Sequence, residues 1–136
     1  MQLFNGQEFD SILILKLGFG LSEDGSESAH SVLKVSDHWK FPVVNVGRCT
    51  EIQMHLVVTL WEQLVESEQA RCHTPGYAIQ LLSGKEPIFI AALCWHCNNI
   101  SMSCISLTKN FRTFDSSSKA AVSLLRLCEN VAGKHA

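Results

Sequence analysis

The dipeptide Gly84-Lys85, with an apolar run on either side, constrains this chain more than any other feature. Residues 77–83 (YAIQLLS) and 86–95 (EPIFIAALCW) have the composition of strands. A two-residue loop that opens on glycine suits a type II′ hairpin, whose first position needs a positive φ. Such a turn predicts a register in which Ile79 faces Ile90, Leu81 faces Ile88 and Tyr77 faces Ala92. If pairing runs on, His73 faces His96 and Cys72 faces Cys97. Phe89, Leu93 and Trp95 then share the face opposite Ile88 and Ile90. Pro87 is tolerable because it stands at the start of its strand. A run apolar on both faces implies a strand covered twice, or one with a covered face and a partner surface.

Around this hairpin the chain reads as α+β, an antiparallel meander with two helices in one domain spanning residues 1–136. Residues 11–20 and 30–35 form a first hairpin across the polar loop LSEDGSES, and the apolar run 43–46 leaves strand and coil both open. Thr50 and Gln53 have capping-box spacing ahead of a helix over residues 50–66. Its apolar stripe is Ile52, Leu56, Leu60 and Leu64, flanked by Val57, Trp61 and Val65, and its polar stripe Glu51, His55, Glu62 and Glu66. A strand over 100–108, with a bulge near its change of phase, turns at Lys109-Asn110 into a short strand 111–114. Asp115 or one of the following serines caps a last helix, with Ala121, Leu124, Leu125, Cys128 and Val131 inward and Gly133 at its end.

A length of 136 residues suits one core. Charged residues make up only 18%, below the roughly 25% usual for soluble proteins. With a net charge of -2 the chain has no electrostatic drive towards nucleic acid. No apolar run approaches the ~18 residues of a membrane span, and acidic residues rather than basic ones precede the first apolar segment, so the chain reads as cytoplasmic. In that compartment the six cysteines are thiols or metal ligands rather than disulfides.

Cys72-His73 and Cys94-Trp95-His96-Cys97 form the densest group of reactive side chains. Zinc takes thiolate and imidazole ligands in a tetrahedron, usually with a Cys-x-x-Cys pair wrapped around it by a tight turn. On a regular strand Cys94 and Cys97 point to opposite faces, so the same-face metal set is His73, Cys94 and His96, with Cys72 and Cys97 as the other candidates. Cys72 opposite Cys97 is also placed for a cross-strand disulfide, although the cytosol favours two neighbouring reduced thiols. A Cys94-Cys97 redox pair lacks the helix N-terminus that activates such motifs, and a Cys94-His96 nucleophile lacks an orienting group fixed by spacing. Core packing of Cys49, Cys94, Cys104 and Cys128 is the plainer expectation. No Gly-x-Ser-x-Gly elbow, P-loop, His-Glu-x-x-His or dinucleotide fingerprint occurs.

The segments ARCHTPGYAIQLL (residues 70–82) and ALCWHCNNI (residues 92–100) resemble the paired Cys-His-x-Pro and Cys-x-x-Cys-Asn-Asn signatures of short, uncharacterised bacterial proteins. The resemblance spans residues 50–133 and implies no known activity. At the level of fold, the chain also resembles immunity proteins that protect bacteria from toxins. The resulting expectation is a non-enzymatic cytoplasmic inhibitor that binds another protein, a bacterial toxin in the immunity form, through Phe89, Leu93 and Trp95. The competing expectation for those three residues is a helix packed over them. The alternative for the whole protein is a zinc-binding module built on the cysteine-histidine cluster.

Overall fold

A computed structural model describes residues 8–18, 31–34, 40–68, 74–104 and 107–135. Along them run β1 (Ser11–Leu17), β2 (Ser31–Lys34), β3 (Lys40–Arg48), α1 (Glu51–Glu62), β4 (Tyr77–Ser83), β5 (Glu86–Cys94), β6 (Asn99–Cys104), β7 (Leu107–Thr113) and α2 (Lys119–Ala132). The strands form one antiparallel sheet in the order β2-β3-β1-β4-β5-β6-β7, and with the two helices they make the α+β architecture expected. No helix among the described residues is long and apolar enough to cross a membrane.

Two connections differ from the sequence expectation. β1 is not the hairpin partner of β2. It lies between β3 and β4, while the four-residue β2 pairs with β3 at the sheet edge. The reason is burial: β1 is apolar and covered on both faces, so it takes an interior position. Lys109-Asn110 lies inside β7, not in a turn, and the open run 43–46 falls within β3. The bulge expected near the phase change is present as a register shift between Met102 and Cys104.

The hairpin at Gly84-Lys85 forms, with Gly84 at φ 62 and its amide donating to Asp10 Oδ2 at 2.8 Å. Its predicted register survives for only two pairs, Ser83 with Glu86 and Leu82 with Pro87. Beyond them the ladder shifts by one: Leu81 pairs with Phe89, Ile79 with Ala91 and Tyr77 with Leu93. Ile88 is the extra residue. Pro87 has no amide hydrogen to give the ladder, and a bulge beside it accommodates the loss. One residue of slip exchanges the faces of β5 relative to β4.

Phe89, Ala91 and Leu93 therefore join Tyr77, Ile79 and Leu81 in the larger core, beneath α1 and α2. The helices contribute Val57, Trp61, Leu124 and Cys128, all fully enclosed. The opposite face carries a second cluster that includes Leu15, Leu17, Phe41, Val43, Ala78 and Ala92. Leu33 of β2 and Ile90 of β5 line one cleft of about 320 Å³ on this side. Strands four places apart would be ~19 Å from one another in a flat sheet, so the sheet is curled.

The helices begin where side-chain acceptors meet free amides. Thr50 and Gln53 form the capping box, with Thr50 N donating to Gln53 Oε1 at 2.8 Å and Gln53 N to Thr50 Oγ1 at 3.2 Å. α1 ends at Glu62, four residues before the expected limit. Ser118 caps α2, and Gly133 terminates it at φ 99, where a side chain would be strained. The end of α2 is held by the sheet. Asn45 Nδ2 donates to Ala132 O (2.6 Å), Tyr77 OH to Gly133 O (2.6 Å), Lys16 Nζ to Lys134 O (2.9 Å) and His135 Nε2 to Gly76 O (3.0 Å).

Gly47 of β3 lies beneath this end of α2, so close that a Cβ would overlap the backbone carbonyl of Val131. Backbone cannot rotate aside as a side chain can. Gly47→Ala is therefore expected to cost about 3 kcal/mol or more, read as a lower urea midpoint, because α2 must lift. An unchanged midpoint would contradict the packing of α2 on β3.

Candidate functional site

β5 ends at Cys94, which pairs with Asn99 of β6, and residues 95–98 close the hairpin as a four-residue loop. Asn98 occupies the left-handed region at φ 57, which asparagine tolerates better than most residues. The loop overturns the assumption of a regular strand through Cys97. Instead of pointing away, Cys97 returns its amide to Cys94, donating to Sγ at 3.1 Å. Both cysteines are fully enclosed.

Trp95 fastens the loop to the helical layer. Its Nε1 donates to Ala121 O at 2.8 Å, and its ring makes edge contacts with Tyr77 (6.2 Å, 84°) and Phe114 (5.9 Å, 89°). Phe114 N adds a bond to Asn98 O at 3.0 Å. Asn98 Oδ1 is buried without a hydrogen-bond partner.

The expected metal set divides. Cys72 and His73 lie outside the described residues. Cys94 is enclosed as a free thiol, whereas His96 is exposed. Cys97 is disulfide-bonded, so its sulfur is neither the reduced thiol expected nor an open ligand. Among the described residues no three His, Cys, Asp or Glu side chains gather to hold a metal.

The expected docking trio also lies elsewhere than at a surface. Phe89 and Leu93 are buried and Trp95 half-buried, all packed in the core shared with the helices. The competing expectation, a helix over that face, describes their surroundings.

An exposed apolar ridge on α1 replaces them, and the stripe read from sequence divides: Leu64 and part of Leu60 pack on the core as expected, whereas Ile52 and Leu56 face outward. α1 turns Val57, Trp61 and the following Leu64 inward, leaving Ile52 74% and Leu56 46% exposed. Enclosing the large Trp61 indole outweighs enclosing the two aliphatic chains. A signal existed in the composition: EIQMHLVVTLWE is apolar on more of its circumference than one core contact can cover. A cleft of about 250 Å³ lies near the end of this segment, lined by Glu66, Asn99, Phe111, Arg112 and Thr113, with Arg112 and Glu66 paired at 3.5 Å.

Cys49 and Cys128 are buried free thiols in the larger core. Burial pushes the Cys49 thiol up to about 11 and raises Cys128 as well, with the negative charges of Cys49 and Glu129 adding to the latter. Tyr77 is pushed up to about 12, chiefly by burial and then by Glu129 and Cys128, against a lowering bond from the His135 backbone.

Comparison of the chain with protein-family models, with curated proteins and with solved structures finds no match. The residues themselves therefore carry the functional argument.

Two outcomes follow from the site. Groups whose folded pKa is raised hold protons that the unfolded chain has lost, so their stabilisation is complete below the unfolded value and disappears as pH climbs through the folded one. The urea midpoint should fall from about pH 9 upward for the thiols, and further above about 10 for Tyr77; Cys49→Ala should flatten the fall between pH 9 and 11. A midpoint level to pH 11 would contradict this. Trp95→Phe, which removes the indole donor to Ala121, should lower stability by about 1 kcal/mol in the same titration.

Proposed function

We propose that this chain is a non-enzymatic protein-binding protein of the inhibitor type, and that its partner receives the outward ridge of α1. The observation that carries the reading is the exposure of Ile52 and Leu56, one helical turn apart, on a helix whose remaining outward residues are Glu51, His55, Thr59 and Glu62. Aliphatic side chains at i and i+4 are the anchors with which a helix enters an apolar groove. α1 contains no lysine or arginine, and Glu51 and Glu62 flank the ridge, so the complementary groove has a basic rim. In the immunity form of this reading the partner is a basic bacterial toxin. Cytoplasmic residence, expected from the sequence, conflicts with a disulfide at Cys97 because that compartment keeps such pairs reduced. The binding reading does not require it.

A zinc-supported module has one observation in its favour, the tight loop that brings the Cys97 amide onto Cys94 Sγ. It also needs the Cys97 sulfur released from its disulfide. Metal analysis of reduced protein tests it: about one zinc per chain, with a melting temperature that falls in chelator, is the result this second reading requires.

The test of the main reading is the variant Ile52→Lys/Leu56→Glu. Both positions face solvent, so stability should change by no more than about 0.5 kcal/mol per site. Co-expression with the protein encoded beside this chain, followed by size-exclusion chromatography, should give a complex for the wild type and none for the variant. Rescue of growth should be lost in parallel if that protein is a toxin. A variant that binds and rescues like the wild type would sink the assignment of α1, and absence of any wild-type complex would sink the inhibitor reading.

A further inference from the structure

We infer that the cleft between β2 and the β4-β5-β6 part of the sheet is a binding site for a small, neutral, largely apolar molecule with a hydrogen-bonding group at each end. The cleft lies on the face of the sheet away from α1 and does not depend on the protein-binding reading. Gln80, Ile90 and Ser103 stand opposite one another in register on β4, β5 and β6, so their side chains form one row across three strands. Leu33 of β2 lines the cleft of about 320 Å³ together with this row, and Pro87 and Ile88 at the bulge extend its apolar lining.

The lining selects the chemistry of the occupant. Gln80 and Ser103 are half-buried, and neither side chain hydrogen-bonds to a described residue. The amide and the hydroxyl can each donate and accept. β4 and β6 lie two strand spacings apart, about 10 Å in a flat sheet, with the apolar Ile90 between them. A ligand that satisfies both therefore has polar groups at its ends and an apolar middle. None of the described lining residues is charged, so an ion would lose its hydration here without meeting a counter-charge. The volume is roughly twice that of a cavity, about 150 Å³, that takes benzene, which sets the size at about two rings.

The test uses the full chain and 2,6-dihydroxynaphthalene, a two-ring molecule uncharged at neutral pH with a hydroxyl at each end, followed by calorimetry and by amide chemical shifts. One molecule should bind per chain, with the shifts centred on β4, β5 and β6. 2-Naphthol, which lacks one hydroxyl, should bind about fivefold more weakly, and 2-naphthoate more weakly again. Ser103→Ala and Gln80→Met should each weaken the diol about fivefold and change the affinity for 2-naphthol by less than about twofold. Ile52→Lys/Leu56→Glu, altered only on the far side, should bind the diol like the wild type. The proposal is overturned if binding does not saturate, if the shifts centre on α1, if 2-naphthoate binds as tightly as the diol, or if Ser103→Ala and Gln80→Met both bind the diol unchanged. A dimer whose formation excludes the diol would give the cleft to a second copy of the chain and overturn it as well.

Discussion

Pro87 cannot donate a hydrogen bond, and the arrangement of the larger core depends on how the sheet absorbs that loss. The bulge at Ile88 shifts β5 by one residue against β4, which brings Phe89 and Leu93 to the side of Tyr77, Ile79 and Leu81. Without the shift the two largest apolar side chains of β5 would face away from the helices. Each would forgo about 2 kcal/mol of burial, and α2 would rest on Ile88, Ile90 and Ala92 instead. A missing amide hydrogen thus decides which surface the helices cover.

The elements were more legible than their relations. The capping box at Thr50 and Gln53, the terminating Gly133 and the turn at Gly84 are local chemistry, written in a few adjacent residues, and each occupies its expected place. Register and strand order are set by non-local competition. Nothing near Ser11 states that β1 will pair with β3 and β4, because that choice rests on enclosing both of its faces. The inward side of α1 was read only in part for a related reason. Periodicity counted Ile52 and Leu56 as equals of Leu64 and Trp61, whereas packing encloses only the latter two.

At the candidate site, sequence spacing brought Cys94, His96 and Cys97 into consideration but assigned them the wrong local geometry. A strand carried through Cys97 separates the two sulfurs across the sheet. A four-residue loop with Asn98 in the left-handed region turns the second cysteine back on the first. Asn98-Asn99 was the available cue, since asparagine is among the few residues that accept that backbone conformation at modest cost. The tryptophan between the cysteines has its own structural role, tying the loop to the first turn of α2 through Ala121.

The four bonds that hold the end of α2 join residues 118, 87, 59 and 56 positions apart. Closing such long loops is entropically costly until the intervening chain is ordered. These contacts belong late in the folding sequence, after β1, β3 and β4 have aligned the groups that receive them. The last turn of α2 then acts as a kinetic seal, and its backbone amides should exchange with solvent by an opening that leaves the sheet intact.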